Sequence, residues 1–234
     1  MRKAFLALFL IVMIHTAVSA QNVRVNCDRL TMNVPSENAS CYQIEQSAVT
    51  DNEEADDSEL EGGIIAKYAL VLPDFRKNSS YEPEVSYYSQ SDLMSSNLRF
   101  YDIFLSLQDM LNNVSVGAED LETASQTLEI LPFHARPRTA QGFLKQISFE
   151  GGEGIAMVAC YEDTVHSYAE TNLFYTMQGL SNDKETYITA VIPLTINQLD
   201  GKNASEIDWN SVTENDFSPT LTDLNTYLSS IVFE

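Results

Sequence analysis

Apolar and polar positions divide the chain into two unlike halves. From Gly142 onward four apolar runs follow one another closely: GFLKQISFE (142–150), GIAMVACYE (154–162), TNLFYTMQG (171–179) and ETYITAVIPL (185–194). They are rich in β-branched and aromatic residues and bounded by turn formers, which predicts four strands. The polar link LSNDK (180–184) has hairpin length, and parallel neighbours would need long crossovers, so antiparallel pairing is predicted. In the last run Ile188, Ala190, Ile192 and Leu194 alternate with Tyr187 and Val191, apolar at both parities. A sheet buried on both faces follows, with helices as the expected cover.

The first half is less regular. VRVNCDRLTMNV (23–34) reads as an opening strand region, Pro35 with SENAS (36–40) as a turn, and CYQIEQSAV (41–49) as the returning strand of an N-terminal hairpin. IIAKYALVL (64–72) reads as a buried strand ended by Pro73 and Asp74, and EVSYYS (84–89) as a short one. In FYDIFLSLQDML (100–111) the period changes. Phe100, Ile103, Phe104, Leu107, Met110 and Leu111 recur at steps of three and four, the core-facing stripe of an amphipathic helix. Positions 112–127 are polar and read as irregular. At the end, Ser218 is the expected N-cap and Pro219 the first residue of a helix whose apolar face is Leu221, Leu224, Tyr227, Leu228 and Ile231. The segment 198–217 is polar and carries Trp209, read as docking a short helix. The pattern as a whole predicts an α+β fold: a central antiparallel sheet flanked by helices, an N-terminal hairpin and a C-terminal helix.

The glycines at 151, 152 and 154 raise the question of a phosphate loop. The run after Gly154 is β-rich, no Lys-Ser/Thr pair follows, and Glu153 would repel phosphate. They are read as the tight link between two strands, where glycine permits positive φ.

The first twenty residues are set apart from this pattern. Arg2 and Lys3 precede the apolar run AFLALFLIVMIHTAV (4–18), and VSA (18–20) offers small residues for cleavage. A cleaved secretory signal is expected, leaving residues 21–234 as a single domain that begins at Gln21. The residue directly after the cleavage site is Gln21 and not a cysteine, so a lipoprotein is not expected, and no later segment is apolar enough to insert in a membrane. The expected location is secreted or extracytoplasmic.

Charge sharpens the picture. Lys+Arg number 13 against 34 Asp+Glu, a formal net charge of −21. Such a field repels nucleic acid and anionic membranes, so the expected partner is an envelope or extracellular one and not a nucleic acid. The densest acidic stretch is DNEEADDSELEGG (51–63), with seven acids. It reads as a solvated loop, since its spacing is not that of an EF-hand calcium loop.

The cysteines are Cys27, Cys41 and Cys160. An exported chain meets oxidising conditions, and Cys27 and Cys41 are the nearest pair for a bridge. A turn at 36–39 would instead put Cys41 opposite Val34, which argues partly against that pairing. No CxxC occurs, so zinc-ribbon and thioredoxin-like sites are not expected.

The segment EGIAMVACYEDTVHSYAETNLFYTMQGLSNDKETYITAVIPL (153–194) resembles a family of exported proteins of Chloroflexi-type bacteria. NLFYTMQGL (172–180) carries most of the likeness, and LPFHARPRTAQGFLKQISFEGGEG (131–154) and FSPTLTDLNTYLSSI (217–231) extend it. The chain departs from the family's pattern at Met157, Val158, Ala159 and Cys160, where the family tends to polar residues, and in its acids at 51–61. The resemblance implies a fold similar to the PsbP-like α/β/α sandwich, a fold of accessory and binding proteins for the most part. It implies no catalytic residues.

Candidate chemistry is sparse. Beyond the leader the histidines are His134 and His166, both in loop-like sequence, without a G-x-S-x-G or a cysteine-protease motif. His166 with Glu162, Asp163 or Glu170 offers metal-binding residue types, but not the spacing of a helical H-E-x-x-H site. Tyr81, Tyr87, Tyr88, Tyr161 and Tyr168 are candidates for a sugar or peptide platform, with core packing the alternative. Sequons occur at Asn38, Asn78, Asn113 and Asn203 and read as chance occurrences beside the bacterial resemblance. The expectation is a non-catalytic binding or accessory protein with no catalytic, metal or cofactor residues and no cofactor. The alternatives are an extracellular hydrolase using carboxylates or a bound metal, and a calcium-dependent surface module.

Overall fold

The computed structural model describes residues 22–35, 39–47, 64–75, 82–96, 98–115, 121–126, 128–131, 138–161, 173–196 and 211–234. Their architecture is α+β, built on a seven-stranded antiparallel sheet in the order β3-β4-β5-β9-β8-β7-β6. The strands are β3 (Ser40–Ser47), β4 (Ile64–Val71), β5 (Glu84–Ser89), β6 (Arg138–Phe149), β7 (Gly152–Tyr161), β8 (Leu173–Ser181) and β9 (Thr186–Pro193). The four runs of the second half pair as consecutive antiparallel neighbours, as their short links require. Glu150 and Gly151 alone separate the paired residues Phe149 and Gly152, and Gly151 has φ +94°. Gly154 serves another purpose. A Cβ there would meet the Gln178 carbonyl oxygen at 2.7 Å and the Gly179 Cα at 2.8 Å, so it permits close approach of β7 and β8.

The helix-covered face carries α1 (Gln90–Ser96), α2 (Leu98–Ser115) and α3 (Leu121–Gln126). All six residues of the α2 stripe are buried, packed against Tyr88, Ile155, Met157, Phe174, Tyr187 and Val191 of the sheet. The stretch 112–127 is thus not wholly irregular: α2 runs on to Ser115, and α3 follows. Both pieces are short of apolar residues and take their helical form from docking, which propensity alone does not reveal.

The opposite face is covered differently from expectation. Its lid is the helix α4 (Leu221–Ser229) together with a small sheet of β1 (Val23–Cys27), β2 (Leu30–Val34) and β12 (Val232–Phe233). The N-terminal hairpin lies within 23–34, not between 34 and 41. Asp28 adopts φ +52° and turns the chain, so that Cys27 pairs with Leu30 and Val23 with Val34. β3 does not return along β2; it pairs with β4 in the large sheet. Cys27, Leu30, Met32 and Val34 then bury themselves with Leu221, Leu224, Leu228 and Ile231 against Leu70, Val85, Tyr175, Ile188 and Ile192.

The start of the C-terminal helix also differs. Thr220 is the N-cap, its Oγ1 accepting from the Asp223 backbone N–H at 3.2 Å, and the helix begins at Leu221. Ser218 and Pro219 lie before it, joined by a cis peptide bond. Phe217–Ser218 form β11, which pairs with Thr195–Ile196, β10, and this pairing holds the chain extended where a helix start was expected.

Candidate functional site

Strand parity alone places an unusual set of polar residues beneath the helices. Ser86 pairs with Thr189 and Thr189 with Gln178; one pleat along, Glu84 pairs with Val191 and Val191 with Thr176. These residues share the face that carries Tyr88 and Tyr187. Lys67 joins them from β4. In register it lies beyond Ala69 and Val71, and Val71 is the partner of Glu84, so Lys67 and Glu84 reach towards each other along the sheet past Ala69 and Ser86. Ala69 and Ser86 are both fully buried, and their small side chains leave that path open.

The charged end of this inlay is one compact contact. Lys67 Nζ donates to Glu84 Oε1 at 2.5 Å, and the Ser86 hydroxyl donates to the same oxygen at 2.7 Å. Both charged side chains are more than nine-tenths buried. Tyr88 lies on the same strand and face, and burial, with the Glu84 charge added, pushes its phenol well above the ordinary tyrosine range. A serine beside a carboxylate and a lysine has the residue types of a nucleophilic site. Ser86, however, is sealed from solvent, so the contact ties β4 to β5 and presents nothing to a substrate.

The amide end is built around Gln178. Its Oε1 accepts from the Leu131 backbone N–H at 3.0 Å and the Tyr187 hydroxyl at 2.6 Å. Its Nε2 faces the Leu131 carbonyl at 3.1 Å, Thr176 Oγ1 at 2.6 Å and Thr189 Oγ1 at 3.0 Å. Two N–H groups serve three acceptors, so one of these bonds is shared. Thr189 also donates to the Leu131 carbonyl at 2.8 Å. The result is a clamp that engages both main-chain groups of Leu131 and fixes them to the sheet.

On the other face the Tyr87 hydroxyl donates to Asp28 Oδ2, tying the hairpin turn to β5. Burial and that carboxylate raise the Tyr87 phenol. The ring of Tyr87 stacks on Tyr68 at 5.0 Å between centroids and meets Phe233 edge-on at 5.2 Å. Arg29 lies over Phe233, 4.6 Å from the ring centroid, and its Nε donates to the Glu234 carbonyl. Tyr175 is held by Asn225 of α4, its hydroxyl donating at 2.6 Å.

The candidates named from sequence are distributed as follows. Cys27 and Cys41 are joined by a disulfide with α-carbons 5.1 Å apart. It is not a rung of a hairpin but a link between the small sheet and the edge of the large one. Cys160 is buried in β7, outside that bridge. Tyr87 and Tyr88 are core residues of opposite faces and cannot form one platform. Phe174 and Tyr175 likewise point to opposite faces, and both are buried. His134, His166, Glu162, Asp163, Glu170, Tyr81, Tyr168, Trp209 and the acids of 51–61 lie outside the described residues. Among the described residues, no three His, Cys, Asp or Glu side chains are grouped to hold a metal ion, and no helix is long and apolar enough to cross a membrane.

Sequence reasoning passed over Lys67, Glu84 and Gln178. Their signal was present: Lys67 interrupts an otherwise apolar strand run, and Gln178 sits inside NLFYTMQGL. A polar residue at a core-facing parity is the informative exception in a buried strand. Set against known proteins, the chain matches no family model, no curated protein and no solved structure.

Proposed function

We propose that the protein is an exported, non-catalytic binding or accessory protein of the cell envelope or extracellular medium. One observation carries this reading. Among the described residues, the polar clusters Lys67–Glu84–Ser86 and Gln178–Tyr187–Thr189 are closed over by helices, and their hydrogen bonds run within each cluster and, for the second, to Leu131. In both clusters the chemistry-bearing residues hold the scaffold, which favours a function at the surface. The apolar leader ending in VSA and the Cys27–Cys41 bridge favour an oxidising, extracytoplasmic location. The sequence resemblance carried by NLFYTMQGL (172–180) extends the proposal to kinship with the exported family of Chloroflexi-type bacteria and with the PsbP-like sandwich. That kinship bears on fold and not on a reaction.

The test is expression of the whole chain in an exporting bacterial host. The expected product is extracytoplasmic, begins at Gln21, contains one thiol that reacts on denaturation, and turns over none of a panel of glycoside, ester and peptide substrates. Turnover that disappears on replacing His166 and its acidic neighbours would overturn the reading in favour of a hydrolase. A marked rise in melting temperature with calcium would favour a calcium-dependent surface module. A full-length cytoplasmic product would remove the export.

A further inference from the structure

Among the described residues no strand pairs with the outer side of β3 or of β6, the two ends of the large sheet, and the ends are unlike. β6 carries two register shifts against β7, a positive φ of 55° at Phe143, and the basic residues Arg138 and Lys145, features that spoil further pairing. β3 has none of them. It pairs with β4 without a break from Ser40↔Val71 to Ser47↔Ile64, eight residues in one register. Its sequence, SCYQIEQS, holds no proline, lysine or arginine. Cys41, Tyr42 and Gln43 are exposed, Tyr42 at 52%, and among the described residues no strand pairs with the outer side of β3. The Cys27–Cys41 bridge also anchors the strand to the layer beneath, so it is held in place before any partner arrives.

We propose that the outer edge of β3 is a docking strand for an extended, lysine- or arginine-bearing segment of a partner protein. Charge selects this occupant. From Leu30 to Ala66 the sequence contains no lysine or arginine, while Glu37, Glu45 and the seven acids of 51–61 fall in β3 or in the connections on either side of it. The next base, Lys67, is buried in its pair with Glu84. A second copy of this chain would bring a net charge of −21 against an equal one. A basic extended segment meets the opposite field. Its main chain completes the ladder, and its alternate side chains fall beside Tyr42 on one face and beside Cys41 and Gln43 on the other. The proposal rests on the binding-protein reading and specifies the surface and chemistry of that binding.

The test uses the full mature, oxidised chain and a labelled synthetic peptide of the same length as β3, with lysine and valine alternating, followed by fluorescence anisotropy. Binding is expected to weaken with salt. It should weaken at least about tenfold when alternate peptide amides are N-methylated, the loss expected of several main-chain hydrogen bonds. Gln43→Lys and Glu45→Lys should each weaken it several-fold at unchanged urea midpoints, while Gln146→Lys on β6 leaves it unaltered. Four results would each overturn the proposal: no binding, equal binding of the N-methylated peptide or of a glutamate–valine peptide, loss on Gln146→Lys instead, or a dimer in sedimentation that Gln43→Lys dissolves. The same mixtures are read by mass spectrometry. Cleaved peptide would overturn the non-catalytic reading, whereas peptide left intact and unbound removes only the β3 edge.

Discussion

Lys67→Met removes one partner of the buried contact that ties β4 to β5 and leaves the other in place. Lys67 Nζ stands 2.5 Å from Glu84 Oε1, with side-chain exposures of 8% and 9%. At an effective dielectric near 20, unit charges at that separation attract by about 7 kcal/mol. Desolvation costs several kcal/mol for each ion, so the intact pair contributes little on balance. The single substitution does not sample that balance. It leaves the Glu84 carboxylate under the helices with the Ser86 hydroxyl, 2.7 Å away, as the remaining partner shown for that oxygen. The expected loss is about 3–5 kcal/mol. Lys67→Met with Glu84→Leu removes both charges and should recover to within about 1 kcal/mol of the parent, because neither ion then has to be buried. Urea denaturation at neutral pH, followed by far-ultraviolet circular dichroism on the oxidised chain, gives the four corners of the cycle. A loss of less than about 1 kcal/mol in the single variant, a value typical of a surface pair, would refute a buried and coupled contact. A double variant that loses the sum of the two singles would refute it equally.

Gln178→Leu should cost about 2–4 kcal/mol, since it strands the Leu131 N–H and removes the acceptor of the Tyr187 hydroxyl, and hydrogen exchange at the Leu131 amide should accelerate. Gly151→Ala should cost about 1–3 kcal/mol and expose the C-terminal strand β12 to exchange and carboxypeptidase. The cause is twofold: its φ of +94° disfavours a Cβ, and that Cβ would fall on the carbonyl of Phe233. Burial raises the phenols of Tyr87, Tyr88 and Tyr175 above their unfolded value of about 10. Their neutral forms are therefore favoured by folding; the contribution is complete below about pH 10 and is lost as pH rises towards the folded values. Ultraviolet titration should show fewer tyrosinates than the chain's 11 tyrosines until alkaline unfolding, and Tyr87→Phe should flatten the alkaline decline in stability.

Much of the second half was legible because its contacts are local in sequence. β6, β7, β8 and β9 pair in chain order, so apolar runs and short links sufficed to place them. The α2 stripe was legible for a similar reason: its 3.6-residue period needs only one apolar surface to face. The first half was less legible because its pairings are distant. β5 inserts beside β9, and β12 closes on β2 from the other end of the chain. Asp28, which turns the hairpin inside 23–34, carries no glycine to announce a positive φ. The polar inlay was hidden for the same kind of reason, since Ser86, Thr189 and Gln178 come together only when three strands are in register.

The sequence by itself determined the strands of the second half, the buried stripe of α2, and that the sheet would be buried on both sides, because periodicity is a property of neighbouring residues. It also set the acidic charge and the absence of bases between Leu30 and Ala66. Tertiary structure decided what covers each face: helices on one, and a small sheet with one helix on the other. It decided that Cys27 meets Cys41 between layers, that Lys67 turns inward to Glu84, and that β3 is left at the edge. Each of these depends on which distant segments compete for the same surface, and that contest is settled by the packing of the whole chain.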